Sequence, residues 1–380
     1  MKIKIIRSID DPFLKSEWER LEQETDIFPQ STYHWCSTWW KFLSEDRKLH
    51  IVMMLDDNGK TLCIAPLCIE HYCGVSVLRG FPIHFGDFYT FIMSNETLSH
   101  DAVDNIIKYM TYNNLWRWVR LEQVVENSTL AKHLINNNYR KKRMTGCVIV
   151  DFSNLGWEEY LAKLKKHFRT KLRRRLKKIH EKFTPQLSIV REWNEFEEKF
   201  NIMVKIYQNR WEDDYIPKKG VTELGCWRDA IKGQFESGNM IFFQLIFDGV
   251  VAAYRLGFLR DRTYYAWHTG INPDYRTYHT GNMLLALMIL KYFMNNSITR
   301  INFMAGDYDW KLDWSPNRET ESILMFTSNS NNIVSRILNY YHHEVRDKIK
   351  ELYHKALHYS LLRAVSRNVI LLEHKISGKR

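Results

Sequence analysis

One order of elements, read twice along these 380 residues, constrains the fold more than any composition figure. In the first half, hydrophobic periodicity predicts a strand at Lys2–Ile6 and helices at Pro12–Glu24 and Trp35–Leu43. A hairpin follows, Leu49–Leu55 and Thr61–Glu70, joined at Asp57-Asn58-Gly59. Asn-Gly between apolar runs signals a tight turn, whose two central residues must both reach positive φ. A strand near Ser76–Arg79, a helix near Ser99–Tyr112, a strand near Arg117–Glu122, a helix near Ser128–Asn137 and a strand at Gly146–Phe152 complete the half.

The second half repeats the scheme. A helix is predicted over Trp157–Phe183, a strand at Gln186–Arg191, then helices at Asn194–Trp211 and Glu223–Ser237. Strands Met240–Phe247, Val250–Arg260 and Thr263–Ile271 form a meander through turns at Asp248-Gly249 and Asp261-Arg262. A helix at Gly281–Asn295 and strands at Thr299–Met304 and Ser322–Thr327 follow. The repeated β-α-α-β-β-β-α-β order predicts tandem copies of one α/β domain of the α+β type, with mixed sheets flanked by helices. Residues 1–150 and 151–330 are the expected copies, and 331–380 a helical tail packed on the second. A chain of this length with 45% hydrophobic and 14% aromatic residues can fill two cores.

The net charge of +11 is local. Lys163 to Lys182 holds eleven Lys/Arg against one acid, Glu181; removing these leaves 44 basic and 43 acidic residues elsewhere. That excludes a protein coated in positive charge for general nucleic-acid binding. Leu161, Leu164, Phe168, Leu172, Leu176, Ile179 and Phe183 recur at spacings of three and four, so the basic segment is a packed helix rather than a disordered arm. Its cations either form a solvated face or meet an anionic partner, such as anionic lipid heads or RNA phosphates.

No signal peptide is expected from MKIKIIRSIDDPF, and the longest apolar run, Met283 to Leu290, is far short of a membrane span. The six cysteines form no C-x-x-C pair and read as reduced, buried thiols of a cytoplasmic protein. No metal is expected. His354 and His358 have helical i, i+4 spacing, but Lys355 stands where a metalloprotease carries Glu.

The segment Gly270–Tyr292 ends a strand, passes through a turn-rich loop and opens an apolar helix at Thr280-Gly281-Asn282. A helix start presents unpaired N–H groups and partial positive charge, which suits a diphosphate. Gly281 would let phosphate oxygens approach, Thr280 would cap or donate, and Arg276 and His279 are nearby donors. A second segment, Gly306-Asp307-Tyr308-Asp309-Trp310-Lys311, closes a buried strand.

At these residues the chain resembles the GNAT superfamily, and within it the CelD-like acyltransferases related to the FemAB peptidyltransferases. The match is carried by Phe28-Pro29-Gln30-Ser31 with Trp35, Trp39 and Trp40, by Ile64-Ala65-Pro66-Leu67, by the basic helix Tyr160–Lys178, by Asp274-Tyr275 through Gly281 with Leu284-Leu285, and by Gly306-Asp307 with Lys311. Order and spacing over roughly residues 28–326 make it specific. The resemblance implies that the loop before Gly281 holds the diphosphate of an acyl-CoA, acetyl-CoA or longer, as cosubstrate. Arg276 fits the first position of the family's loop, and His279 stands at its first glycine. It implies a degenerate N-terminal copy that helps shape the acceptor cleft. It also implies N-acyl transfer to an amine: an amino sugar of a surface polysaccharide, a lipid amine or a small metabolite. Aminoacyl-tRNA-dependent peptidyl transfer and a non-catalytic binding protein of the same fold are the alternatives. The basic helix over 160–183 would serve the CoA 3′-phosphate, RNA or an anionic inner-membrane surface.

Direct transfer requires a base for the amine and donors for the oxyanion. The cleft is expected where strand Thr263–Ile271 parts from strand Thr299–Met304. His268 is a base by pKa, or a packed strand histidine. Asp307 is a base, an ammonium ligand or a turn cap. Lys311 would neutralise phosphate or hold the oxyanion, or lie solvated, and Tyr308 would protonate the leaving thiolate.

Overall fold

Local chemistry fixes the ends of the elements. In this computed structural model, which describes residues 1–72, 74–210, 220–329 and 333–357, Asp11 caps helix α1 (Pro12–Glu24). Its Oδ1 accepts from the N–H groups of Phe13 and Leu14 at 2.9 and 3.0 Å, and Leu14, Trp18 and Leu21 line the buried face. Ser128 does the same for the helix at Thr129–Asn136, accepting from Ala131 N–H at 3.2 Å. Cys73, Trp211 and His358, with the rest of the tail to Arg380, lie outside the described residues.

The strands run β1 (Lys2–Ile6), β2 (Lys48–Leu49), β3 (Ile51–Leu55), β4 (Thr61–Ala65), β5 (Leu67–Tyr72), β6 (Val75–Gly80), β7 (Ile92–Met93), β8 (Trp118–Val125), β9 (Arg140–Asp151), β10 (Pro185–Val190), β11 (Met240–Phe247), β12 (Val250–Arg260), β13 (Thr263–Ile271), β14 (Arg300–Ala305) and β15 (Thr320–Thr327). The predicted strand Thr61–Glu70 is two strands. Pro66 has no N–H to give a ladder, and the chain passes there from the β1-β3-β4-β7 sheet to the one holding β5. The Asp57-Asn58-Gly59 turn is wider than expected. Asp56 N–H donates to Lys60 O at 2.9 Å, and of the three only Gly59 has positive φ, +87°. Asp248-Gly249 and Asp261-Arg262 do form two-residue turns, with all four φ positive.

The chain forms two compact units. The first holds residues 1–36, 44–144 and 323–380; the second holds 37–43 and 145–322. In the first, besides the four-stranded sheet, the strand order is β15-β8-β6-β5-β2; in the second it is β10-β11-β12-β13-β14-β9. Each order contains one parallel pair of three residues: Val77–Arg79 with Trp118–Arg120, and Thr263–Tyr265 with Arg300–Asn302. Each pair is flanked by antiparallel neighbours, and each has a non-glycine residue at positive φ on its later strand: Gln123 at 64° and Met304 at 57°. The repeated order is therefore a repeated topology, with mixed sheets flanked by helices. The closing strand of each unit comes from beyond its own stretch of chain: β15 closes the first and the end of β9 closes the second.

Further helices are α2 (Tyr33–Leu43), α3 (Leu98–Tyr112), α4 (Thr129–Asn136), α5 (Trp157–Lys163), α6 (Lys166–Lys182), α7 (Trp193–Arg210), α8 (Val221–Glu236), α9 (Thr280–Met288), α10 (Asp309–Leu312), α11 (Ile333–Tyr340) and α12 (Arg346–Leu357). The expected helix Trp157–Phe183 is broken: Leu164 and Lys165 turn extended between α5 and α6. Tyr160, Leu161, Leu164, Phe168, Leu172 and Ile179 still enter one core with Leu284, Leu285 and Trp314. The tail helices pack on the first unit, not the second. Trp118 Nε1 donates to Asn339 Oδ1 at 2.8 Å, and Lys142 Nζ to His342 O at 2.8 Å. No helix among the described residues is long and apolar enough to cross a membrane.

Candidate active site

The second unit's parallel pair ends abruptly, and both strands are bent where it ends. Beyond Tyr265 and Asn302 no further described pair joins β13 to β14. On β13, Leu256 faces His268 while Phe258 faces Tyr265, so β13 carries one more residue than β12 between those pairs. Such a bulge turns the strand and re-aims the side chains after it, here Ala266 to His268. Gly257 lies opposite; a Cβ there would fall 2.3 Å from Tyr265 O. On β14, Asn302 Oδ1 accepts from Met304 N–H at 2.8 Å and from Cys147 Sγ at 3.0 Å, holding Met304 at φ 57°. Gly306, at φ 100°, donates to Gly146 O at 2.9 Å. The two strands part at their carboxyl ends, where open α/β sheets gather functional groups.

His268 lies just past the bulge. Its Nδ1 lies 3.0 Å from Tyr254 Oη, and the rings of Tyr207 and Trp227 stand 4.6 Å from its own. Tyr254, Tyr207 and Trp227 were absent from the sequence expectation, and only the density of aromatics hinted at them. Asp307, past the end of β14, is half-buried and accepts from Thr145 Oγ1 at 3.3 Å. Tyr308 is 64% exposed, its ring against Gly306.

Lys311 is neither solvated nor aimed at a phosphate. It is buried, and its Nζ donates to the carbonyls of Phe303 and Ala305, both at 2.7 Å. It clamps the irregular end of β14, satisfying carbonyls that have lost their ladder there.

The start of α9 also differs from expectation. Its cap is His279, in the left-handed region at φ 54°, and Asn282 and Met283 donate to His279 O. Thr280 is fully buried with its hydroxyl 3.4 Å from Ala252 O, so it is not the cap. Asn282 Oδ1 accepts from Trp314 Nε1 at 3.2 Å. Gly281 is buried, and a Cβ there would sit 3.0 Å from Ile271 Cδ1; helix-to-strand packing accounts for this glycine. Arg276 is exposed on the same loop.

The cations at this helix start come from α6. Arg175 donates to His279 Nε2 at 2.8 Å, and Lys182 to Tyr278 Oη. Arg174, Arg175, Lys178 and Ile179 face Thr277, Tyr278 and His279 across a cavity of about 330 Å³. Burial and the charges of Arg175 and Lys171 hold the His279 imidazole below its usual pKa. Burial and the neighbouring Arg174 charge lower Arg175 as well. The cavity is thus a site of uncompensated positive potential beside a helix N-terminus, chemistry that suits a phosphorylated ligand.

The pattern of the acetyltransferase (GNAT) domain matches residues 166–312, from the first residue of α6 to the last of α10. Among solved structures, FemX superposes with a TM-score of 0.60 at 10% identity, covering 89% of this chain and 99% of its own. The C-terminal domain of a putative lysylphosphatidylglycerol synthetase from Agrobacterium fabrum gives 0.55 at 10% identity, over 85% of this chain and 93% of its own. L-PGS from Bacillus licheniformis gives 0.55 at 11% identity, over 89% and 97%. No curated protein sequence matches. The chain therefore has the GNAT and FemX-like fold, with the acetyltransferase-domain pattern confined to the span that builds the basic cavity and the parted strands.

Proposed function

We propose that this chain is an acyl-CoA-dependent N-acyltransferase, of the CelD-like kind that its sequence resembles. The observation that carries the reading is the basic cavity at the start of α9, on the loop that leaves β13 just beyond its separation from β14. The CoA diphosphate would lie against Thr277 to His279 and Arg175, leaving the pantetheine arm to run toward the gap. An amine entering the gap attacks the thioester carbonyl. Its proton passes to His268 or, in the competing assignment, to Asp307; the C–S bond breaks and Tyr308 protonates the thiolate. Backbone N–H groups along the parted strands are the natural donors to the oxyanion, because beyond Tyr265 and Asn302 the two strands no longer pair with each other. Under the same proposal the first unit is a degenerate copy of the fold, and the acceptor is an amino sugar, a lipid amine or a small metabolite amine.

A second reading takes the acyl group from aminoacyl-tRNA. The exposed cations of α6 and the likeness to FemX favour it. A thiol-release assay across acyl-CoAs of rising chain length decides between the two. Turnover with any of them, lost in His268→Ala or Asp307→Asn with folding intact, supports the first. Absence of thiol release together with steeply salt-dependent tRNA binding gives the second. Neither result leaves a binding protein that kept the fold.

A further inference from the structure

The cations of α6 are sorted by what they face. Arg173 pairs with Glu158 and Lys177 with Glu181, whereas Arg174, Arg175 and Lys178, all lining the cavity, have no carboxylate partner among the described residues. Three like charges held together without a counter-charge raise each other's energy; burial, and then the Arg174 charge, lower the Arg175 pKa. Their spacing is that of one helical face: positions i and i+4 carry Arg174 and Lys178, about 5–6 Å apart at Cβ.

A diphosphate diester carries about two negative charges, which the helix start and Arg175 meet. A phosphate monoester adds about two more. We propose that Arg174 and Lys178 bind the 3′-phosphate of the CoA nucleotide, making this cavity selective for 3′-phosphorylated CoA over its dephospho form. The inference rests on the acyl-CoA reading and extends it to donor specificity. Arg174 supplies a planar fork and Lys178 a point charge, so one monoester can take a two-centred and a single contact together. Both side chains are exposed at the cavity rim, so their replacement leaves the core of α6 intact.

The test is calorimetric titration of the full chain with CoA and with dephospho-CoA at one ionic strength. For the wild type, CoA is expected to bind roughly ten- to hundredfold more tightly. In Arg174→Ala/Lys178→Ala the preference falls to within about twofold, and the charge-retaining Arg174→Lys/Lys178→Arg restores part of it. Equal binding of the two nucleotides by the wild type overturns the inference and leaves the acyl-CoA reading standing. So does a preference that survives in the alanine variant. Failure of the wild type to bind either nucleotide removes both.

Discussion

Tyr254 Oη lies 3.0 Å from His268 Nδ1, with the two rings stacked at 5.7 Å and 9°. For His268 to take a proton on Nε2, its Nδ1 must carry the hydrogen and donate it to the tyrosine oxygen. Tyr254 is then a positioning residue. His268→Ala is expected to lower kcat by about 10²–10⁴ with little change in KM. Tyr254→Phe removes the acceptor that fixes the Nδ1–H tautomer and the orientation of the ring. The accompanying loss in kcat is roughly tenfold. Steady-state kinetics from pH 5 to 9 check this, and full turnover by His268→Ala hands the base to Asp307.

Gly270 faces Tyr254 in the β12–β13 register, and a Cβ there would fall 2.2 Å from Tyr254 Cε1. The strand can cross this fully buried ring only because the position lacks a side chain. Gly270→Ala must push the ring aside, at a cost of about 1–3 kcal/mol for overpacking. The variant should melt lower and lose kcat as Tyr254→Phe does. A fully stable, fully active Gly270→Ala would show that the ring is free to move and does not position His268.

Much of the scaffold was legible because it is locally encoded. Asp248-Gly249 and Asp261-Arg262 make their turns from their own backbone preferences, and β11, β12 and β13 match their predicted bounds. The α5–α6 break was not legible: no glycine or proline marks Leu164-Lys165, and the apolar stripe continues across it. The site depends still more on distant contacts. Arg175 reaches His279 across 104 residues, and its place in the cavity comes from α6 packing on α9. Lys311 could be placed at the end of β14 from sequence, yet its burial depends on carbonyls freed by the irregular ladder at Met304.

That clamp predicts a stability effect. Lys311→Met keeps the stem and removes the three donors, leaving the carbonyls of Phe303 and Ala305 with one partner fewer each. The expected loss is about 1–3 kcal/mol per buried group left unsatisfied, read as a lower midpoint in urea. Activity should fall in parallel, because β14 then holds Asp307 less firmly. An unchanged midpoint with abolished turnover would return Lys311 to the chemistry.

The first unit should be acid-labile through His50. Its ring is fully buried, with Arg7 Nη1 2.9 Å from Nδ1 and Tyr109 Oη 2.9 Å from Nε2. Burial, and then the Arg7 charge, push its pKa down to about 4. An unfolded chain binds the proton near pH 6.5, so below that pH protonation favours unfolding. The stability contributed by neutral His50 is whole above about pH 6.5 and is lost as pH falls toward 4, for a total of about 3 kcal/mol. His50→Asn keeps hydrogen-bonding capacity without a titratable ring. Urea midpoints measured between pH 7 and 4 should therefore fall less steeply in the variant than in the wild type. Parallel slopes would show that the proton is taken up elsewhere, with His343, also lowered to about 4 by burial and by Arg140 and Lys142, as the next group to replace.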